Sequence, residues 1–175
     1  MQESAKNIFA HATLAFVFQE RRVQRSDVLI KWLPVIPIST QSSSIGITST
    51  GEWSVANTEG VIFLYEPQSF ITTLPLLEQP RSSILQHIHH ASLSNAFSKV
   101  IEETFPEVAI VRMGFEIGSD YWARHAFRWF DEFPIDKQQE LLASVQTIVQ
   151  AKWASQQVRQ HAQRAVSSIK SRAEC

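Results

Sequence analysis

The sequence has almost no cysteine, since Cys175 is the only one in 175 residues. A disulfide within one chain is therefore excluded, and an apolar core must stabilise the fold. The residues for such a core are present, because 44% of the chain is hydrophobic and it includes 11 Phe and 5 Trp. The lack of disulfides fits a reducing compartment, and we expect a cytoplasmic protein.

Glycine is also scarce, with five residues at positions 46, 51, 60, 114 and 118. Phosphate-binding and dinucleotide-binding loops need closely spaced glycines, so neither kind of site is expected. The sequence around Ser54 lacks the second glycine that a hydrolase nucleophile elbow requires. We therefore predict no cofactor and find no support for a nucleophilic hydrolase.

Long apolar runs are missing as well, and no stretch approaches the roughly 18 uninterrupted apolar residues that suggest a membrane span. The nearest match to a signal peptide is residues 8–18. Glu3 precedes it, however, and Arg21 and Arg22 follow it without a small-residue cleavage site. We therefore predict no membrane partner and no secretion.

The net charge of −1 hides an uneven distribution. Residues 1–80 contain 5 basic and 7 acidic side chains, residues 81–136 contain 5 and 8, and residues 137–175 contain 6 and 2. The basic charge is thus concentrated in the C-terminal block. Such a block can contact phosphate or an acidic protein surface, or it can simply be the solvated side of a helix.

The N-terminal half has the pattern of a small antiparallel sheet. Short β-branched and aromatic segments alternate with turn residues such as Gly51 and Gly60, which indicates a meander. Pro34 and Pro37 should confine the end of their strand to a sheet edge or a connector. We predict strands at residues 14–18, 28–38, 45–49, 53–56 and 61–65.

The C-terminal half has mainly helical periodicity, so we predict an α+β fold in which the sheet packs against C-terminal helices and the last helix is long. One amphipathic helix starts at Ser82 and places His89 on its apolar face, and another starts at Ser119. Between them, β-branched residues 108–112 predict a strand that returns to the sheet. Prolines in residues 66–81 predict an irregular surface connection.

The last predicted helix, residues 135–172, contains no Pro or Gly and changes its apolar face halfway along. One straight helix cannot bury both faces against one surface. Either it breaks near residues 154–157, or its second half faces something outside the core. We predict a domain at residues 1–153 and a terminal interaction helix at 154–175. The second apolar face has the spacing of a helix-pairing seam and consists of Val158, Ala162, Ala165 and Ile169.

This seam is the predicted partner-binding surface, so the main functional hypothesis is non-enzymatic protein–protein interaction or assembly. The partner is a second copy of the chain or another protein. One alternative is that the second half packs on another side of the same domain after a kink. Another is nucleic-acid binding through Lys152, Arg159 and Lys170, which fall within about 20° of one another on an ideal helix.

An enzyme is the remaining alternative, and it rests on three histidines within four residues of a predicted helix. His89 and His90 are candidates for acid–base catalysis, whereas His87 and His90 are spaced to share a metal ion. No Asp, Glu or Cys lies within one turn, so further ligands would come from two acidic segments, residues 102–107 and 131–136. Both segments fall at predicted helix boundaries, where capping is the competing explanation.

Overall fold

The computed structural model describes residues 18–38, 42–91 and 101–173. Contacts divide the chain into two compact units, Met1–Pro106 and Glu107–Cys175. The first unit contains a five-stranded antiparallel sheet and the second is helical, which confirms the predicted α+β class. Most of the predicted strand at 14–18 lies outside the described residues. Among the described helices, none is long and apolar enough to cross a membrane.

The sheet is a meander in which each strand pairs with the next one along the chain. The three strands predicted at residues 45–49, 53–56 and 61–65 are confirmed, with ends that differ by no more than two residues. Gly51 and Gly60 have φ angles of +85° and +134°, which glycine adopts without strain. The strands are β1 (Gln19–Arg22), β2 (Leu29–Ile38), β3 (Ser43–Thr48), β4 (Trp53–Asn57) and β5 (Gly60–Phe63).

The sheet curls until its first and last strands meet. Val23, directly after β1, forms a parallel bridge to Val61 in β5, and the Gln24 amide donates a 2.9 Å hydrogen bond to the Val61 carbonyl. This approach requires glycine at position 60, because a Cβ atom there would lie 2.7 Å from the Arg22 carbonyl oxygen. The backbone groups at this end of β1 and β5 are therefore satisfied within the sheet.

Both prolines of β2 pair with residues of β3. Among the described residues, β1 pairs with Leu29–Trp32, whereas β3 pairs with β2 as far as Ile38. The edge position predicted for Pro34 and Pro37 stays a prediction, because the chain before residue 18 lies outside the described residues. A register shift in the β2–β3 pairing follows Pro34.

Trp32 is almost completely buried in the sheet, with 2% of its surface exposed. Its indole ring lies against Gly46, where a Cβ atom would come within 2.5 Å of the ring and 2.2 Å of the Leu33 carbonyl oxygen. The indole Nε1 donates a 3.0 Å hydrogen bond to the buried Ser54 Oγ. Ser54 therefore serves as a structural hydrogen-bond acceptor inside the sheet.

The segment after the sheet is a 3-10 helix, Pro67–Glu78, so the predicted irregular surface connection is wrong. Pro67 starts this helix, in the first turn where proline is tolerated because its missing amide donor is not needed. Phe70, Leu74 and Leu77 are buried, so the segment belongs to the core of the first unit.

Helix α1 (Arg81–Ala91) confirms the helix predicted to begin at Ser82 but not its apolar face. Ile84 and Ile88, one turn apart, are buried, whereas His89 is exposed. Because α1 packs against β2, the two isoleucines belong to the core of the first unit. The predicted inward position of His89 is wrong.

The second unit begins with a helix where the sequence predicts a strand. Helix α2 (Glu107–Glu116) buries Ile110, Val111 and Phe115, which follow helical spacing, so the strand predicted at residues 108–112 is wrong. The helix predicted from Ser119 is confirmed. The other helices of this unit are α3 (Asp120–Asp131), α4 (Ile135–Glu140), α5 (Leu142–Ile148) and α6 (Gln156–Ala173).

The long terminal run breaks before Gln156, where its apolar face changes, and residues 149–155 are not helical. Ser155 caps α6, because its Oγ accepts a 3.3 Å hydrogen bond from the Val158 amide. The Ser155 amide in turn donates a 2.6 Å hydrogen bond to Asp120 Oδ1 at the start of α3. The beginning of α6 is thus attached to the beginning of α3.

Candidate functional site

The predicted helix-pairing seam lies mostly inside the second unit. Val158, Ala162 and Ile169 are only 2%, 0% and 2% exposed, and Ala165 is half-buried. They belong to the helix that packs mainly on α5 and also contacts α3 and α4. This arrangement corresponds to the alternative in which the second half of the run packs within the chain after a kink. A partner that binds the described surface of α6 must therefore contact its outward-facing residues.

The three predicted nucleic-acid contacts do not share one continuous helix. Lys152 lies in the linker that precedes α6, so the alignment expected for an unbroken helix does not apply to it. The Arg159 guanidinium donates a hydrogen bond to the Ala154 carbonyl and helps to close the linker. Lys170 is exposed on α6. Arg159 and Lys170 are thus about 20° apart around α6, whereas Lys152 lies outside that helix.

His87, His89 and His90 are all exposed on α1. The rings of His89 and His90 lie 6.4 Å apart, and His90 Nδ1 is 2.7 Å from the Gln86 carbonyl oxygen of the same helix. Within the described parts of the chain, no three His, Cys, Asp or Glu side chains are grouped to hold a metal ion. In the acidic segments, Glu107 accepts a 2.6 Å ion-pair hydrogen bond from Lys137 Nζ.

A trough between α3 and α6, which the sequence analysis missed, collects several charged side chains. It consists of two adjoining depressions that share Asp131 and His161. The smaller depression has a volume of about 220 Å³ and is bordered by Arg124, Arg128 and Gln157. The larger has a volume of about 370 Å³ and is lined by Phe130, Phe133, Arg164, Ala165, Ser168 and Arg172.

Asp131 and His161 contact each other in the middle of the trough. His161 Nε2 lies 3.1 Å from Asp131 Oδ1, and the imidazole stacks on the ring of Phe127 with centroids 4.2 Å apart. Gln138 Nε2 donates a 3.1 Å hydrogen bond to the Phe130 carbonyl and so connects α4 to the end of α3. These contacts link the trough's two helices and leave part of the Asp131 carboxylate open to solvent.

The four arginines of the trough differ in whether they have partners. Arg124 forms a 2.6 Å ion pair with Asp120, and Arg128 Nη1 lies 3.1 Å from His125 Nδ1. Arg164 and Arg172 make no hydrogen bond or ion pair with any residue that the structure describes. Both are exposed, so their guanidinium groups are open to a ligand at the larger depression.

The carboxylate of Asp120 is held in its ionised form. Burial alone would raise the pKa of Asp120, but hydrogen bonds from Ser155 and the ion pair with Arg124 lower it below its ordinary value. Asp120 therefore keeps Arg124 engaged at the start of the trough. The positive charge that has no partner among the described residues lies at the other end, on Arg164 and Arg172.

The sequence does contain a signal for one wall of the trough. The residues of α6 that line the larger depression follow steps of three, one, three and four, which places them on one side of a helix. The residues of this α6 wall are His161, Arg164, Ala165, Ser168 and Arg172. The α3 wall has no comparable signal in the sequence, because the packing of α3 beside α6 is what brings Phe130 and Asp131 to the depression.

No known protein family, curated protein or solved structure matches the chain. The chemistry of the trough is therefore the basis for a functional argument. Guanidinium groups bind carboxylates and phosphates through paired hydrogen bonds, and they keep their charge at any physiological pH. An open trough with two arginines that have no partner among the described residues is suited to binding an anionic group.

Proposed function

We propose that the protein binds a protein partner through the trough between α3 and α6, and that the partner contributes an acidic segment. The observation that carries this proposal is the pair Arg164 and Arg172, exposed and unpaired among the described residues, on the rim of the 370 Å³ depression. Charge complementarity of this kind steers association and selects partners. The proposal keeps the terminal helix as the contact surface but uses its exposed side instead of the buried seam.

The charge of α6 supports an acidic partner. The helix contains four basic residues and no Asp or Glu. Asp131 is the one carboxylate among the residues that line the trough, against four arginines. Without a compensating acid on α6, the rim attracts negative groups at low ionic strength, where surface charges are poorly screened.

Two features favour a protein over a nucleic acid. The Asp131 carboxylate lies where a continuous phosphate backbone would pass and would repel it. The rings of Phe130 and Phe133 are 2% and 4% exposed, so only their edges reach the trough. Single-stranded nucleic acids are bound largely by stacking on exposed aromatic faces, which these rings do not offer.

The proposal can be tested with two anionic probes against the full chain: an acidic peptide in which Ala residues separate the Glu residues, and single-stranded oligothymidine. We expect the acidic peptide to bind at low salt and the double variant Arg164→Gln/Arg172→Gln to lose about 2- to 30-fold in affinity, as expected for two exposed ion pairs. Lys152→Gln/Lys170→Gln is the matched control. It also removes two positive charges, but neither lysine lines the trough, and Lys170 lies about 160° around the helix from Arg172.

The outcomes separate the hypotheses. Equal loss in Lys152→Gln/Lys170→Gln and in Arg164→Gln/Arg172→Gln would mean that net charge, not the trough, governs binding, and would refute the proposal. Binding of oligothymidine without binding of the acidic peptide would favour the nucleic-acid alternative and refute the proposal. Light scattering of the free protein tests the remaining alternative, since a stable oligomer that dissociates in the double variant would identify a second copy of the chain as the acidic partner.

A further inference from the structure

The two arginines of the trough that have no partner in the described part of the chain lie at a defined separation. Arg164 and Arg172 are eight residues apart on α6, which corresponds to about 12 Å along the helix axis and about 80° around it. Ser168 lies midway, one turn from each arginine. All three side chains line the same depression, so a ligand that contacts both arginines must cross the space over Ser168.

The floor between the arginines is apolar and small. It is formed by Ala165 and by the edges of Phe130 and Phe133. A helix is about 10–12 Å wide with its side chains, so a depression of 370 Å³ accommodates side chains of a partner but not its backbone. The partner must therefore rest on the rim and point a side chain inward.

The walls of the trough favour a helical partner over an extended one. Both walls are helices, whose backbone groups are hydrogen-bonded internally, and only side chains face the ligand. An extended peptide would find no strand edge to pair with its amides and carbonyls, whereas a helix satisfies its own. From Gln157 to Arg172 the trough runs about 22 Å along α6, long enough for about four turns of a second helix.

We infer that the trough recognises an amphipathic helix with two acidic residues at positions i and i+7 and an uncharged apolar residue at i+3 or i+4 between them. This inference rests on the proposed function. Residues seven apart on a helix lie about 10.5 Å apart on one face, which matches the two arginines. The central side chain enters the floor beside Asp131, and an acidic residue there is repelled by that carboxylate.

The inference is tested by titrating the full-length protein with three helical peptides of about 18 residues, long enough for partial helicity in water. The first peptide has Glu at i and i+7 with Leu at i+4. The second has the same composition but has the second Glu moved to i+5, on another side of the helix. The third has Asp instead of the central Leu. We expect the first to bind about two- to fivefold more tightly than the second, which loses one exposed ion pair, and at least tenfold more tightly than the third.

The protein variants connect this preference to the trough. The advantage of the first peptide over the second should disappear in Arg164→Gln/Arg172→Gln and persist in Lys152→Gln/Lys170→Gln. If all three peptides bind equally and the double variant weakens them all, the spacing inference is overturned while the proposed function stands. If the double variant binds every peptide as well as the native protein does, both fail. Circular dichroism of each variant checks that the exposed substitutions leave the fold intact.

Discussion

Replacing Ile169 by alanine tests whether the apolar face of α6 is core or interface. The side chain is 2% exposed, and the change removes three carbon atoms from the interior of the second unit. At about 0.8 kcal/mol for each buried methylene-sized group, the transfer contribution alone is about 2.4 kcal/mol. The cavity adds to it, so that Ile→Ala changes in cores cost about 2–5 kcal/mol. Ile169 lies four residues before the end of α6, where relaxation limits the cavity, and we expect about 2–3 kcal/mol.

The assay is urea denaturation followed by circular dichroism at two protein concentrations, with Lys170→Ala as the exposed neighbouring control. If Ile169 is a core residue, its substitution lowers the urea midpoint by the same amount at both protein concentrations. The control should change the free energy of unfolding by less than about 0.5 kcal/mol. An interface residue would instead make the midpoint depend on concentration. A loss below about 1 kcal/mol, or a loss that depends on concentration, would refute the conclusion that this face is core.

Three further predictions concern the sheet and the helix linker. Gly46→Ala should destabilise the first unit by about 2 kcal/mol or more and alter the fluorescence of Trp32, because the added Cβ atom would overlap the Leu33 carbonyl. An unchanged urea midpoint would contradict this prediction. Asp120→Asn should destabilise the protein at pH 7, and urea denaturation at acid pH should show no difference from the native chain. The reason is that the lowered pKa of Asp120 stabilises the fold above the ordinary value of 3.8, and this stabilisation is lost as the pH falls through the pKa of the folded state. Burial and the nearby Glu52 raise the pKa of Tyr65 to about 12, so ultraviolet titration should show a tyrosine ionising near 12, and Glu52→Gln should lower that midpoint towards 10. Tyr65 then stabilises the fold below pH 10 and ceases to do so as pH rises through 12, and a midpoint unaffected by Glu52→Gln would refute the assignment.

The strands were predictable because their signals are local. Turn residues bound β3, β4 and β5 closely, and the period of two within each short segment leaves little ambiguity. A break near residues 154–157 was one of two alternatives that the change of apolar face left open, whereas the interruption at Leu141, between α4 and α5, was not predicted. The sequence could not show whether the apolar face of α6, after the break, packs against the chain's own helices or against a partner.

The errors came from segments whose structure depends on tertiary packing. The five residues 108–112 suggest a strand by composition, but the buried positions of α2 continue through Phe115 with helical spacing, and Gly114 is within the helix. The prolines in residues 67–78 suggest a segment without regular structure, yet Pro67 starts a 3-10 helix whose apolar residues are buried in the first unit. The phase of α1 was wrong because Ile84 and Ile88, and not His89, meet the sheet.

The trough could not be predicted from the sequence, because its two walls come from different helices, α3 and α6. Arg164 and Arg172 can be placed on one helical face from their spacing alone. Their value as a site depends on Phe130 and Asp131, which α3 brings beside them only in the folded chain. A row of cations on one helix is common on protein surfaces, and the second wall is what distinguishes this row from the other basic residues of α6.

The curl of the sheet has a consequence for how the sequence can change over evolution. The turn before β5 places Gly60 against Arg22. The side chain of Asn57 stabilises this turn by accepting hydrogen bonds from the Glu59 and Gly60 amides, at 2.8 and 3.1 Å. An insertion in this turn would break the bridge between Val23 and Val61 and leave the Gln24 amide and the Val61 carbonyl without their hydrogen bond, and unpaired backbone groups at strand ends promote pairing between chains and aggregation. Selection against aggregation should therefore keep this turn at its present length.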